Sequence, residues 1–216
     1  MLRADLHLHT NASPDSMITP EALVKRCLKE DINCIAVTDH NTMDGVAAVQ
    51  RIAPFKVIAA EEVKTTEGEI IGYFLREAIP PRLSPEETAS RIKAQGGLVA
   101  VPHPFDRLRR EPLHEAALMR VLSQVDIIEA LNARAMLSSD NRRAADFAAE
   151  HGLACSAGSD AHSLLEIGTA CVEIPDFDTP EEFLASLREG TLCGGRSVPL
   201  VHLISTWAKV RRFLRL

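Results

Sequence analysis

The pattern that most restricts the fold is an alternation of short apolar runs, rich in Val and Ile, with longer stretches of helical periodicity. Such an alternation is typical of βαβ units around a largely parallel sheet. It predicts eight strands, at residues 4–8, 34–38, 56–60, 69–74, 98–101, 126–130, 154–157 and 170–174. No glycine-rich nucleotide-binding loop follows the first strand, so the pattern favours a closed barrel over an open doubly wound sheet.

Local chemistry marks where helices between these strands begin and end. Three hydroxyl residues each precede a proline and an acid, which is the arrangement of an N-cap followed by a first helical turn: Thr19, Ser84 and Thr179. Glycines mark the expected helix ends at Gly96, Gly152 and Gly190.

The chain has 216 residues, which is enough for one large domain or two small ones. It contains no repeat, low-complexity segment or obvious linker, so we expect a single domain over residues 1–216. Residues 199–214 place apolar side chains near helical spacing and end in basic residues, which predicts an amphipathic helix that closes against the barrel. A membrane-surface or RNA contact is the alternative for this segment.

Composition restricts the partners. Acids outnumber Lys and Arg by 30 to 24, so the net charge of −6 gives no general electrostatic reason to bind nucleic acid. No signal peptide or membrane-spanning run is recognisable, so no membrane partner is expected. The five cysteines are scattered and never form a C-x-x-C pair, which indicates reduced thiols and a cytoplasmic protein.

Histidines and carboxylates follow the expected C-terminal ends of strands, where barrel enzymes carry their chemistry. His7 and His9 lie two apart at the end of the first strand, so they share a face and can bind one ion. His40 ends the second strand as a candidate ligand. Its neighbour Asp39 is the residue expected to orient a ligand from behind.

Three further strands end in the same way. The third ends in Glu61 and Glu62, one of which can point into the barrel mouth and bridge two ions. His103 follows the fifth strand between two prolines, and Asp160 and His162 follow the seventh with ligand spacing.

Five of the eight histidines therefore fall at strand ends, which predicts a metal site of mixed imidazole and carboxylate ligands. Such a ligand set suits zinc, manganese and iron. The other three histidines lie in helical stretches and are expected to be surface or packing residues: His114, His151 and His202.

These motifs resemble those of the polymerase and histidinol phosphatase (PHP) family of metal-dependent phosphoesterases. The matching segments are residues 5–10, 13–16, 38–40, 61–63, 102–104 and 158–162, in the family's order, with a further likeness at residues 195–202. The resemblance implies a distorted (β/α)7 barrel, so that one of the eight predicted strands becomes an accessory. It also implies two or three divalent ions at the C-terminal ends of the strands.

The ligands implied by the resemblance are His7, His9, Asp15, His40, Glu62, His103, Asp160 and His162. Glu62 is preferred to Glu61 because the family's bridging glutamate directly precedes a β-branched residue, here Val63. One departure lies in the fourth strand. Many relatives have a ligand histidine where this chain reads Glu69-Ile70-Ile71-Gly72-Tyr73, so one site is expected to lack a ligand or to hold a water in its place.

The resemblance implies hydrolysis of a phosphoester by a metal-activated water. Asp39 and Arg134 are the predicted catalytic residues besides the ligands. Phosphate binding is predicted for Asn132, Arg134, Arg107 and Arg196, although a surface ion pair is the alternative for Arg134.

The substrate stays open at this stage. A small phosphorylated metabolite or nucleotide is favoured, because basic residues are few and aromatic residues make up only 4% of the chain. The alternatives are a 5′-3′ exoribonuclease acting on an RNA 5′ end, an amidohydrolase, and a non-catalytic metal-binding module.

Overall fold

The computed structural model describes residues 1–109, 112–195 and 207. Three of its helices begin where the hydroxyl N-caps predict them. The side chains of all three N-cap residues accept hydrogen bonds from backbone N–H groups three residues later. In the described ranges the helices are α1 (Pro20–Lys29), α2 (Asp44–Ile52), α3 (Pro85–Ala94), α4 (Glu115–Val121), α5 (Ser138–His151) and α6 (Pro180–Arg188). Gly152, at a φ of 64°, ends α5 in the left-handed conformation expected of a terminal glycine.

All eight predicted strands are present, and the described chain adds a ninth. The strands are β1 (Leu2–Leu8), β2 (Cys34–Val37), β3 (Lys56–Thr65), β4 (Gly68–Tyr73), β5 (Leu98–Val101), β6 (Ile127–Asn132), β7 (Ala154–Gly158), β8 (Ala170–Ile174) and β9 (Thr191–Gly194). They form one sheet in the order β7-β6-β5-β4-β3-β2-β1-β8-β9. The main difference in bounds is in β3, which runs five residues beyond its predicted end.

The sheet is less parallel than the sequence pattern predicts. β1, β2 and β3 are parallel, as are β5, β6 and β7, but β4 runs antiparallel to both of its neighbours. Thr66 and Glu67 alone connect β3 to β4, whereas a parallel crossover needs a dozen or more residues. The reversal places the start of β4, rather than its end, beside the C-terminal part of β3.

The barrel is nearly closed by contacts between the ends of β1 and β7. Asp160 N donates to His7 O at 2.7 Å, and His9 N donates to Ala161 O at 3.0 Å. Along the first half of β1 the neighbour is instead β8, which pairs antiparallel with Leu2–Ala4 and carries β9 on its outer side. The accessory part is therefore a pair of strands, where one strand was expected.

The barrel interior is apolar at the end opposite the histidines. Inward-facing residues of the strands form one buried cluster that includes Ala4, Leu6, Ile58, Ala60, Ile71 and Tyr73. The rings of Phe74, Phe177 and Phe183 pack against one another with centroids 4.8–6.2 Å apart. This packing fills one end of the barrel and leaves the polar ligands at the other.

Two predictions fall on residues that the structure does not describe. The amphipathic helix at residues 199–214 and the phosphate-binding role of Arg196 lie outside the described residues. Within the part of the chain that is described, no helix has the length and apolarity needed to cross a membrane.

Candidate metal centre

The end of β1 directs two imidazoles at the same pair of carboxylates. His7 Nε2 lies 3.3 Å from Glu62 Oε2 and 3.7 Å from Asp160 Oδ1. His9 Nε2 lies 3.4 Å from each of these oxygens. Around a tetrahedral ion with bonds of about 2.1 Å, ligand atoms stand about 3.4 Å apart. The four atoms are therefore spaced as ligands of one ion, and we call this place the first position.

Hydrogen bonding gives a second test of the first position. His7 Nε2, His9 Nε2, Glu62 Oε2 and Asp160 Oδ1 are all buried and have no hydrogen-bond partner among the described residues. Buried polar atoms are nearly always paired, because leaving one unsatisfied costs about 1–3 kcal/mol. A divalent cation would satisfy all four atoms at once, so the donor set fits a metal ion.

Two further positions adjoin the first. One of them, which we call the third position, lies on the solvent side of the first and is formed by Asp15, His40 and His162. Asp15 Oδ2 lies 3.4 Å from the Nε2 atom of His40 and 3.4 Å from that of His162. The ring of His9 lies between these two histidines, with centroids 4.4 and 4.3 Å away. The His40 side chain is 15% exposed, so this position faces the opening of the site.

Glu62 links the first position to a second one. Its Oε1 lies 3.1 Å from His103 Nε2, while its Oε2 belongs to the first position. Glu61 points the other way and accepts a hydrogen bond from Ile79 N at 2.7 Å. Alternation along β3 therefore gives the bridging geometry to Glu62, the glutamate chosen from the sequence.

Glu69 was not expected in the centre. Its Oε2 lies 3.8 Å from His103 Nε2, its Oε1 lies 4.0 Å from His40 Nδ1, and the residue is only 7% exposed. The fourth strand was expected to lack a ligand at this place, and the side chain found there is the Glu69 carboxylate. The short β3–β4 connection was the available signal, since it forces β4 to reverse and brings its first residues to the barrel mouth.

Glu129 on β6 supports the centre through hydrogen bonds to two of the candidate ligand residues. It lies 3.0 Å from His7 Nδ1 through Oε1, and its Oε2 accepts from His103 N at 2.8 Å. A carboxylate on Nδ1 fixes the ring and leaves Nε2 for an ion. Asn132 Nδ2 donates to Glu129 at 2.9 Å and to Asp160 Oδ2 at 3.2 Å. Asn132, which was expected to bind substrate, is fully buried and positions these two carboxylates.

Asp39, predicted to be catalytic, lies fully buried under the loop that follows β1. It accepts hydrogen bonds from Thr10 N at 2.7 Å, from Thr10 Oγ1 at 2.6 Å and from Ser13 Oγ at 2.8 Å. Ser13 Oγ lies in turn 3.3 Å from His9 Nδ1. The structure thus gives Asp39 a positioning role, as the support of the segment that carries His9 and Asp15.

The basic run after His103 reaches the site through Arg109. Its guanidinium contacts Asp160 Oδ2 and lies 2.9 Å from His103 Nε2, and the side chain is 18% exposed. Arg107, the residue expected to bind substrate, instead pairs with Asp140 at 2.9 Å, and its side chain is 62% exposed.

Arg134 is almost entirely enclosed, with 5% of its side chain exposed. It contacts His162 Nδ1, and its Nε lies 3.5 Å from Glu166 Oε1. Glu166 also accepts a hydrogen bond from His162 N at 3.1 Å. Arg134 therefore braces a ligand histidine in the structure, whereas the sequence suggested a phosphate clamp.

The imidazoles differ in their affinity for protons. Burial, reinforced by the nearby His162 and His40, lowers the pKa of His9 to about 3, so this ring is neutral and able to ligate. Burial opposes charge on His7 and His40 as well, yet the surrounding carboxylates raise the pKa of both well above the usual value. A proton and a metal ion therefore compete for these two rings.

The two carboxylates of the first position are held ionised. Burial opposes the charge of Asp160, but Arg109 and His7 outweigh it and hold the pKa of this carboxyl well below its usual range. Burial likewise opposes the charge of Glu62, and His7 and His40 reverse the effect and lower its pKa. Ionised carboxylates are the form that binds divalent ions.

Two ligand residues have strained backbones. His103 has a φ of 32° and Asp160 a φ of 53°, in the left-handed region that residues other than glycine seldom adopt. Such strain persists where surrounding bonds over-determine the conformation. Glu129 accepts from His103 N, and His7 O accepts from Asp160 N, so each strained residue is tied to the rest of the centre.

Comparison with known proteins identifies the family of this chain. A family model of the PHP domain matches residues 5–119, and a second model, described as PHP-associated, matches residues 138–192. The chain belongs to the PHP family. The PHP match contains the candidate ligands from His7 to His103, and the PHP-associated match contains Asp160 and His162.

Individual relatives of this PHP chain fall in archaea and bacteria. An uncharacterised protein of Methanocaldococcus jannaschii is 34% identical over 197 residues, which are 87% of this chain and 79% of the relative. The 5′-3′ exoribonuclease Rnm of Salmonella typhimurium is 34% identical over 106 residues, which cover 44% of this chain but only 36% of that enzyme.

The fold also matches a solved structure from Bacteroides vulgatus, a two-domain protein that contains a predicted PHP-like metal-dependent phosphoesterase. The TM-score is 0.74 at 15% identity, and the match covers 90% of this chain and 65% of the other. At that identity the likeness concerns the fold alone.

Proposed function

We propose that this PHP chain is a metal-dependent phosphoesterase that hydrolyses a small phosphorylated metabolite or a nucleotide. The observation that carries the proposal is the first position, where four buried donor atoms stand 3.3–3.7 Å apart in the pairs measured. Zinc, manganese and iron all suit such mixed ligands.

Bound divalent ions would supply Lewis acidity, which makes water a nucleophile near neutral pH and offsets the negative charge of a phosphoryl group. The chain supplies orientation and charge. Glu129 and Asn132 hold His7 and Asp160 in fixed directions. Arg109 combines access to solvent with a place beside Asp160, so its guanidinium is suited to bind a phosphate oxygen.

A direct test is removal and return of metal. Chelated protein should lose hydrolysis of a generic aryl phosphate, and added manganese or zinc should restore it. A screen of phosphomonoesters, cyclic nucleotides and 5′-phosphorylated oligonucleotides then identifies the substrate class. Full activity in metal-free protein would contradict the proposal. A protein that retains metal but hydrolyses no phosphoester would favour the non-catalytic module, and cleavage of a C–N bond instead would favour an amidohydrolase.

The likeness to Rnm favours one second candidate, trimming of RNA from its 5′ end. The net charge of −6 argues against a long nucleic acid, which needs a basic track along its phosphates. The two candidates separate when kcat/KM for a nucleotide bisphosphate is compared with that for oligonucleotides of increasing length at several salt concentrations. A value that rises with length and is strongly suppressed by salt would assign the chain to the nucleases.

A further inference from the structure

We propose that Glu69 is a metal ligand, and that with Glu62 and His103 it forms a carboxylate-rich second position suited to a hard, six-coordinate ion such as Mn²⁺. The proposal rests on the metal dependence proposed above and concerns one ion of the centre. Of the three positions, the second should have the lowest ratio of zinc affinity to manganese affinity.

The reversed strand explains why Glu69 reaches the centre. Lys64 pairs with Glu69 and Thr65 with Gly68, so the first residues of β4 lie beside the last residues of β3, just beyond Glu62. From there the two carboxylate oxygens diverge. Oε2 lies 3.8 Å from His103 Nε2 and Oε1 lies 4.0 Å from His40 Nδ1.

The charges of Glu69 and Glu62 repel each other, and a bound cation would offset this repulsion. Single ligand atoms of His40, Glu62 and Glu69 all lie within 4.8 Å of one another. Both glutamates are buried, at 0% and 7% exposure, and like charges at such separation are costly in a buried setting. The neighbouring guanidinium of Arg109, which contacts Asp160 and lies 2.9 Å from His103 Nε2, offsets part of this repulsion.

Glu62 presents its two oxygens to different positions. Oε2 belongs to the first position, and Oε1 faces His103. The 3.1 Å between Glu62 Oε1 and His103 Nε2 matches adjacent ligands of an octahedral ion, which stand about 3.0 Å apart when bonds are about 2.1 Å.

The composition of each position sets its preference. The first position offers two imidazoles and two carboxylates, and the third offers two imidazoles and one carboxylate. The second offers two carboxylates and one imidazole. Imidazole suits zinc, whereas carboxylate and water suit manganese and magnesium. Zinc generally binds N and O sites more tightly than manganese, so the expected difference is in the ratio of the two affinities.

The test measures metal binding rather than turnover. Wild type, Glu69→Gln, Glu69→His and the control Glu67→Gln are dialysed against fixed concentrations of free Mn²⁺ or Zn²⁺, and bound metal is determined by mass spectrometry. Glu67 is a matched control because it lies two residues away and pairs with Arg120 at the surface. Circular dichroism shows whether each variant is folded.

Glu69→Gln should lose one manganese ion, or bind it about tenfold or more weakly, since even residues behind the ligands change metal affinity by about 10–100-fold. Glu69→His should keep the number of ions and raise the ratio of zinc to manganese affinity at one site. Glu67→Gln should match wild type.

Equal manganese binding by wild type and Glu69→Gln would overturn the ligand assignment. An unchanged ratio of zinc to manganese affinity in Glu69→His would overturn the stated preference. If Glu69→Gln does not fold, Glu69→His decides alone. Failure of the proposed function looks different, because then the wild-type protein itself would bind no metal or would bind it without hydrolysing any phosphoester.

Discussion

Arg107 and Arg109 lie two residues apart on one loop, but their side chains contact different parts of the protein. Arg107 pairs with Asp140 near the start of α5, whereas Arg109 contacts two ligands of the centre. A charge-assisted hydrogen bond contributes about 1.5–3 kcal/mol, so Arg109→Ala should lower kcat/KM for a phosphomonoester about 10–100-fold. Arg107→Ala, the matched control, should change it little. Equal losses in the two variants would show that Arg109 does not bind the phosphate.

Removal of a first-position ligand should abolish the chemistry without unfolding the protein. Asp160→Asn and His9→Ala should each lower turnover by several orders of magnitude at saturating metal, because both side chains contribute to the first position, where the proposed ion would activate water. Asp146→Asn and His151→Ala, on α5, make the same chemical changes away from the centre. Wild-type turnover in either ligand variant would remove that residue from the ligand set.

The sequence predicted identities at the centre better than roles. Seven of the eight candidate ligands lie at or shortly after predicted strand ends, which the sequence pattern marks, so their convergence could be anticipated. Asp15 was implied only by the family resemblance. The parts played by Asp39, Asn132 and Arg134 depend on which way each side chain turns, and each turns towards another residue of the site. Glu129 was missed for the same reason, whereas Glu69 was missed because the reversal of β4 was not predicted.

At the scale of elements, strand positions were predictable but strand directions were not. Val- and Ile-rich periodicity marks a strand without indicating which way it runs. The direction of β4 depends on the length of its connection to β3, and β3 extends five residues beyond the apolar run that identified it. Those five residues are mostly polar and buried at the barrel mouth, so the local pattern gives no sign that the strand continues.

β3 also yields a prediction about pH. Glu61 faces away from the centre, and burial raises the pKa of its carboxyl to about 7, against an ordinary value of 4.5. The folded state therefore favours the protonated form, and stability falls as pH rises from about 4.5 to about 7. Glu61→Gln keeps an acceptor for Ile79 N and carries no charge.

Relative to wild type, Glu61→Gln should gain up to about 3 kcal/mol in the free energy of unfolding between pH 4.5 and pH 8. Urea unfolding of both proteins across this range, at constant salt and metal, measures the difference. Contributions common to both proteins cancel in the comparison. Parallel pH profiles would show that Glu61 has no such shift in the folded protein.

For the whole molecule, metal should stabilise the fold and not only the site. An ion at a free concentration 100 times its dissociation constant adds about 2.7 kcal/mol to the free energy of unfolding when it binds only the native state. Thermal unfolding should therefore shift to lower temperature on chelation and recover with added metal. Asp160→Asn should show a smaller shift than wild type, and a melting temperature that ignores metal would argue against a resident ion.

The seam between β1 and β7 joins segments about 150 residues apart in sequence, since His7 and His9 meet Asp160 and Ala161 there. When a ribosome has synthesised the first 150 residues, most of the candidate ligands are present. Asp160, the carboxylate that completes the first position, is not yet present. The centre can assemble only when the last quarter of the polypeptide emerges. A chain that stops before β7 lacks Asp160 and His162, so we expect it to lack the proposed hydrolytic activity.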